Sequence, residues 1–424
     1  MHIFSRKQPD LNWENPEVRE ELYKMVNWWL DKGIDGFRVD AISHIKKVPG
    51  FPDLRNPKKL RYVPSLEGHM NREGIQDFLE ELKSKTFGNY NIMTVGEANG
   101  VSIQDADHWV GEQNGKFNMI FQFEHLGLWN KSVNGGLDIA ALKKTLTRWQ
   151  KGLESSGWNA LFMENHDQPR SVSTWGDDRT YWDMSAKALA TMYFLMRGTP
   201  FIYQGQEIGM TNVQFDSIED YNDVAIKNLY RLERENGKSH DEIMQIIWKN
   251  GRDNSRTPMQ WSDMENAGFT SGRPWLRVNP NYKEINVQKA MQDSDSIYHY
   301  YKKLIRLRAE HPVAIYGTYD LILAKHKQIY AYTRTKGDEK LLVISNLFAD
   351  TAAFNLPRTI KYASWELLVA NYEVDPAERI RKITLRPYES RVYRLSCPTV
   401  VPMPIAGIDF ASPVKDEELL EGAG

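Results

Sequence analysis

A chain of 424 residues, 41% hydrophobic and 26% charged, has an ordinary globular balance and room for more than one domain. Its 54 basic and 56 acidic side chains nearly cancel, to a formal net charge of −2, which leaves no general electrostatic case for a nucleic-acid or membrane partner. The single cysteine, Cys397, excludes an intrachain disulfide, argues against a cysteine-based metal site and suits a reducing, cytoplasmic compartment.

The opening residues, Met1 to Lys7, lack the apolar run of a secretory signal, and no stretch is long and apolar enough to span a membrane. Ile3 and Phe4 read as the end of a strand, and Gln8 to Asn12 as a loop. Asn15-Pro16 starts a helix, with Asn as N-cap and Pro at its first position, and Gly33 ends it. A buried strand follows from Ile34 to Asp40. Arg38 and Asp40 stand two apart on it, so both point to one face, and the guanidinium would keep the carboxylate ionised. A purely structural Arg/Asp pair inside a barrel is the competing reading of that run. His44, just beyond, fits an ordinary helix start.

The same order repeats. Ile75 to Leu82 marks a helix and Ile92 to Glu97 a strand; Asn118 to Glu124 is another strand. Leu142, Leu146 and Trp149 mark a helix, and Ala160 to Asp167 the next strand. The helical stripe from Ala186 to Met196 closes at Gly198, and Thr199 to Glu207 reads as a strand. Alternation of this kind implies a parallel sheet with helices outside. Four apolar runs end in an acid, Asp40, Glu97, Asp167 and Glu207, and parallel barrels gather their active sites at the C-terminal ends of strands.

From Ile208 to about Tyr300 the alternation lapses. Helices are expected over 221–236 and 239–250, then a long polar loop from Gly251 to Trp261, then a helix from Ser296 to Glu310. After His311-Pro312, short strands separated by turn residues (329–334, 341–346, 380–385, 390–395) read as an all-β sandwich. The expected organisation is therefore α/β: a partial (β/α)8 TIM barrel over 1–312, holding strands four to eight and a loop-and-helix insertion at about 208–295. A C-terminal all-β sandwich over 313–396 and a disordered tail over 397–424 follow.

Cleaving a glycosidic bond with retention needs two carboxyl groups about 5–5.5 Å apart, one ionised and one protonated. Asp40 and Glu97 end consecutive strands, which lie roughly 4.8 Å apart in a sheet. Burial and the charge of Asp40 would raise the pKa of Glu97, as a general acid requires; an edge-of-barrel glutamate is its bland reading. Asp167 could stabilise positive charge at the anomeric carbon, with His166 donating a hydrogen bond to the same ring. Glu124 and Glu207 fit structural roles. No Cys/His metal spacing, phosphate-binding glycine loop or dinucleotide fingerprint is present, so no cofactor is expected.

Six stretches together resemble glycoside hydrolase family thirteen, the α-amylase family, in its bacterial α-glucosidase and oligo-1,6-glucosidase branch. They are Gln-Pro-Asp-Leu-Asn (8–12), Gly-Phe-Arg-Val-Asp-Ala (36–41), Val-Gly-Glu-Ala (95–98), Glu-Asn-His-Asp-Gln-Pro-Arg (164–170), and residues 200–209 and 251–261. The resemblance implies Asp40 as nucleophile, Glu97 as acid/base and Asp167 as transition-state stabiliser. It implies Arg38 and His166 as ligands of the sugar in the −1 subsite, with Arg252 and Arg256 in the loop above it. Ala41 stands where branch members favouring α-1,6 bonds carry Val, which tilts the expectation to maltose and short maltooligosaccharides, with α-1,6 substrates as the alternative. The Arg- and Asp-rich loop that sucrose-isomerising members carry after the strand reading Phe-Gln-Phe-Glu-His here (121–125) has no counterpart in Leu126 to Lys131. A non-catalytic relative, such as a transporter heavy chain, or an inactive fragment is the alternative of another class; such relatives carry a membrane anchor and often lose the acids retained here, and a fragment would lack the far wall of the pocket. By register Asp40 ends the family's fourth strand, so the chain is expected to be N-terminally incomplete, without the inserted domain and the calcium loop. The expected partner is a small-molecule oligosaccharide; no oligomeric state is assigned.

Overall fold

The computed structural model of the chain describes residues 1–128 and 136–396. The expectations for the tail from Cys397 to Gly424, and for residues 129–131 of the loop after the third strand, lie outside the described residues.

The chain opens on α1 (Pro16–Leu30), β1 (Gly36–Val39), α2 (Ile75–Lys85), β2 (Met93–Glu97), α3 (Ala106–Val110) and β3 (Met119–Phe121). It continues through α4 (Ile139–Gly152), β4 (Ala160–Leu161), α5 (Ser171–Thr174), α6 (Trp182–Phe194) and β5 (Thr199–Pro200). Asn15 caps α1 by accepting from the Glu17 amide at 2.9 Å, and Pro16 sets the first turn. β1 pairs parallel with β2, Arg38 opposite Val95, and β2 with β3, Glu97 opposite Phe121. β4 pairs parallel with β5. The ring of Phe121, its centroid 5.1 Å from that of Phe162 and 4.7 Å from that of Phe201, closes the seam between the two ladders.

Gly36 makes the first pairing possible. Its φ is +145°, and a Cβ there would stand 1.7 Å from the carbonyl oxygen of Met93. Any side chain would push β1 off β2 and carry Arg38 and Asp40 with it.

Two expectations fail locally. Residues 1–10 form turns, with the Gln8 amide on the Ser5 carbonyl, and Ile3-Phe4 belongs to no strand. The strands expected over 160–167 and 199–207 are two residues each. Pro200 has no amide to continue the ladder, and Gly205 and Gly209, at φ +88° and +67°, bend the chain into a 3-10 turn over Gln206–Ile208. Glu207 therefore sits in that turn and ends no strand, and Asp167 lies six residues past β4, in a turn.

After β5 come α7 (Val224–Glu235), α8 (His240–Asn250), α9 (Val287–Gln292), α10 (Ile297–Glu310) and α11 (Pro312–Tyr316). Ser239 and Glu242 form a reciprocal capping box at the start of α8. Seven antiparallel strands complete the described chain: β6 (Thr318–Ile322), β7 (Ile329–Lys336), β8 (Glu339–Asn346), β9 (Ala352–Asn355), β10 (Ser364–Ala370), β11 (Lys382–Leu385) and β12 (Ser390–Ser396). Five form a sheet in the order β10-β12-β8-β7-β6, and β11 pairs with β9. Ile329, Ile344, Phe354, Ile383 and Leu395 share the core between sheet and pair.

Two buried arginines lie where the β domain meets the barrel, and Arg334 of the β domain ties the two together. Arg308 of α10 donates to the carbonyls of Phe194 and Met196, each at 2.9 Å, and of Gly198. Arg334 of β7 donates to Leu195 at 2.7 Å, Ala314 at 2.9 Å and Gly317 at 2.6 Å. The carbonyls at the end of α6 would otherwise be buried without partners, and two cations there also complement the helix dipole. Burial pushes both guanidinium pKa values down, to about 10, so both stay charged at neutral pH. Arg334→Met keeps the apolar stem but takes the donor from the Leu195 and Gly317 carbonyls and leaves Ala314 with Arg308 alone, at 3.4 Å. It is expected to lower unfolding free energy by about 3 kcal/mol in urea melts; a change below about 1 kcal/mol would show that the carbonyls find other partners.

Candidate active site

The C-terminal end of β1 delivers Arg38, then Asp40. Arg38 spans two carboxyl groups: Nη1 meets Oδ1 of Asp40 and Nη2 meets Oε2 of Glu97, the last residue of β2. Ala41 then takes the left-handed conformation, at φ 45° and ψ 31°, and swings the chain into the 3-10 turn Ile42–His44. Gly96 leaves room for that turn, since a Cβ on it would come within 3.2 Å of Ile42 Cγ2.

The two carboxyls differ in surroundings. The Asp40 side chain is 74% exposed and that of Glu97 15%. Partial desolvation by the groups around it works against ionisation of Asp40, but hydrogen bonds from Glu97 and Arg38 and the charge of Arg38 outweigh it and hold the group below the usual carboxylate range. Burial, the hydrogen bond to Asp40 and the charges of Asp40 and Asp167 push Glu97 up to about 7, against the pull of Arg38. One group is poised ionised and its neighbour protonated.

Asp167 joins them from the turn after β4. Arg256 Nη2 contacts its Oδ1; Arg252 Nη1 reaches the same oxygen at 3.3 Å, and His166 Nε2 lies 3.3 Å from Oδ2. Arg256 Nε also donates to the His166 carbonyl at 2.8 Å, so one guanidinium holds both members of the His-Asp pair. Beneath them the buried pair Glu164–Arg170, 3.3 Å apart, pins the turn, and Arg170 also donates to the Gln204 carbonyl at 2.7 Å. Arg38, Glu97, His166 and Asp167 share the wall of one cavity of about 190 Å³, whose floor is Phe121, Phe162 and Phe201.

All seven residues expected from the sequence thus fall into one contiguous network. Those the sequence reading passed over support it. Asp223 is buried and takes Arg252 bidentately, at 2.7 and 3.2 Å, while capping α7 through the Ala225 amide. Asp253 in turn accepts from the amides of Asn222 and Asp223, at 2.7 and 3.0 Å. An acid just before a helical run is a capping signal, but its partner in Arg252 is not written in the local sequence.

The residues set aside stay apart. His44 is buried with Nδ1 3.0 Å from Nδ1 of His69, and burial pushes it down to about 4, so it is neutral near pH 7. Glu124 pairs with Arg148. Among the described residues no group of three or more His, Cys, Asp or Glu side chains is placed to hold a metal ion, and no helix is long and apolar enough to cross a membrane.

Residues 1–317 match the family described as alpha amylase, catalytic domain, and residues 319–392 the maltogenic amylase C-terminal domain. The chain is 57% identical over 393 residues to probable oligo-1,6-glucosidase 3 of Bacillus subtilis (strain 168), spanning 93% of this chain and 71% of that protein. It is 52% identical to the oligo-1,6-glucosidase of Parageobacillus thermoglucosidasius, over 94% of this chain and 72% of that one. Among solved structures it is similar to trehalose-6-phosphate hydrolase from Bacillus licheniformis, with a TM-score of 0.86, 42% identity, and coverage of 93% and 71%. Isomaltulose synthase from Klebsiella sp. LX3 has a TM-score of 0.86 at 36% identity, with coverage of 93% and 71%.

The raised pKa of Glu97 has a consequence for stability. The folded chain holds that proton up to about pH 7, whereas an ordinary glutamate loses it near 4.5. The group's contribution to stability is therefore full below about 4.5 and falls as pH rises through 7. Glu97→Gln is expected to gain stability relative to the parent between pH 4.5 and 7, read from urea melts at both ends of the window. A difference that does not vary with pH would show that Glu97 titrates as an ordinary glutamate.

Proposed function

The chain belongs to the α-amylase family of glycoside hydrolases, and on that premise we propose that it is a retaining α-glucosidase that releases glucose from the non-reducing ends of short α-linked oligosaccharides. The observation that carries this reading is the Arg38-bridged pair, with Asp40 held ionised and Glu97 raised to about 7.

In this mechanism Asp40 attacks the anomeric carbon while Glu97 gives its proton to the departing glycosidic oxygen. A covalent glucosyl ester on Asp40 results. Glu97, now ionised, takes a proton from water as that water attacks the same carbon, and glucose leaves with its α configuration. Asp167, steadied by Arg252 and Arg256, accepts hydrogen bonds from ring hydroxyls and offsets positive charge on the oxocarbenium-like transition state. Arg38 and His166 donate to the same glucose. All three acids are in place, which separates this chain from non-catalytic members of the fold.

The relatives named oligo-1,6-glucosidases support α-1,6 bonds of the isomaltose type as the preferred linkage. A second reading, maltose and short maltooligosaccharides, rests on Ala41, whose small side chain follows Asp40 in a left-handed turn. One methylene or two beside the leaving sugar shifts discrimination by about 1–3 kcal/mol.

Hydrolysis of p-nitrophenyl α-glucoside should fall to background in Asp40→Asn, and proton NMR of the parent reaction should show α-glucose first. Glu97→Gln should cost about 10²–10⁴-fold on maltose or isomaltose. Activity that survives Asp40→Asn ends the proposal, as does β-glucose as first product. The ratio of kcat/KM for isomaltose to that for maltose decides the linkage: above one supports α-1,6, below one the Ala41 reading. The profile of kcat/KM is expected to decline above about pH 7, where Glu97 loses its proton.

A further inference from the structure

Of the stretch between α8 and α9, the sequence marks a long polar loop over 251–261, and the catalytic network uses just its first residues. Farther along, residues 265–282 fold against the turn Ile218–Asp220 and enclose a cleft of about 390 Å³. Its wall carries Trp275, 66% exposed, with Tyr282, Asn266, Arg273, Glu219 and Glu265. Arg277 closes one side by pairing with Asp220 at 2.9 Å and lying over the Phe215 ring, 5.0 Å from its centroid.

We propose that this cleft is an outer sugar-binding site, taking neutral glucosyl units of an oligosaccharide beyond those at the carboxylates. The choice of glucosyl ligand rests on the α-glucosidase reading. Three features on the molecule point the same way. Trp275, two-thirds exposed in the lining of the cleft, offers an aromatic surface to the apolar face of a pyranose, with Tyr282, whose ring Lys283 overlies at 4.9 Å, lining the same space. Three carboxylates and two guanidinium groups line the cleft together, so an anion or a cation would each meet like charge, whereas a polyol can donate to the first and accept from the second.

The backbone of the wall supplies the third feature. Asn266 and Ala267 both adopt left-handed conformations, at φ 50° and 59°, and Gly268 follows at +66°. Two adjacent non-glycine residues there are costly, and the fold holds them by directing the amides of Trp261 and Ser262 onto the Ala267 carbonyl, at 2.9 and 3.0 Å. The cleft also shares its support with the catalytic network. Asp220 stands three residues before Asp223, at most about 11 Å of chain, and Asp223 holds Arg252 against Asp167.

Calorimetric titration of the chain with isomaltotetraose, maltotetraose and glucose tests the site, with p-nitrophenyl α-glucoside hydrolysis measured in parallel. Trp275→Ala is expected to weaken binding of a tetrasaccharide about fivefold, leave glucose binding and the hydrolysis rate unchanged, and be rescued by Trp275→Tyr. Glu265→Gln, on the exposed rim, should weaken the tetrasaccharide without touching the rate. Equal tetrasaccharide affinity in parent and Trp275→Ala overturns the site, as does an equal loss of glucose and tetrasaccharide. Absent hydrolysis by both parent and variant would count against the α-glucosidase reading alone, since the titrations still decide the cleft.

Discussion

One guanidinium sets the terms for the rest of the site. Arg38 touches Asp40 with one nitrogen and Glu97 with the other, so two carboxyl groups that would repel each other stand side by side on a shared cation. Arginine suits this because its planar fork presents two donors in fixed geometry. The cation cannot by itself make the two acids different. That difference comes from depth: Asp40 stands in the open and Glu97 is mostly covered, so the same neighbours leave one ionised and the other protonated. The arrangement needs β1 and β2 in close register, and that register needs the missing side chain of Gly36.

The third acid is held from another direction and by a longer chain of contacts. Asp253 fixes two backbone amides, those amides place Asp223, Asp223 grips Arg252, and Arg252 with Arg256 meets Asp167. Every link is charged or charge-assisted, and its inner members are buried, where such contacts hold geometry tightly. The irregular region after β5 is therefore part of the site, supplying two arginines and their anchor. The β domain reaches the barrel by similar means. Arg334 of β7 occupies the Leu195 carbonyl at the end of α6, beside the carbonyls that Arg308 of α10 holds.

Much of this was legible in the chain. Helix starts were clear where a cap and a proline or a capping box stood together, as at Asn15-Pro16 and Ser239 to Glu242. Strand lengths were not: apolar runs continued past the ladder at Leu161 and Pro200, because buried loops near a barrel mouth are as apolar as strands. Asp167 and Glu207 looked alike as acids closing such runs. The fold separates them, one facing the cavity among arginines, the other in a buried 3-10 turn. Asp223 went unread because its partner lies 29 residues away across an irregular stretch.

What the sequence determined by itself was the alternation of helix and strand, the change to an all-β texture after Pro312, and the short motifs that place Arg38, Asp40, Glu97 and Asp167 at strand ends or just beyond. These follow from periodicity and side-chain chemistry, which act over a few residues. Only the tertiary structure decided that these groups meet, how deeply each carboxyl is covered, and which distant acids hold the arginines. Such properties depend on burial and on contacts between residues far apart in the chain, and no local pattern of side chains records either.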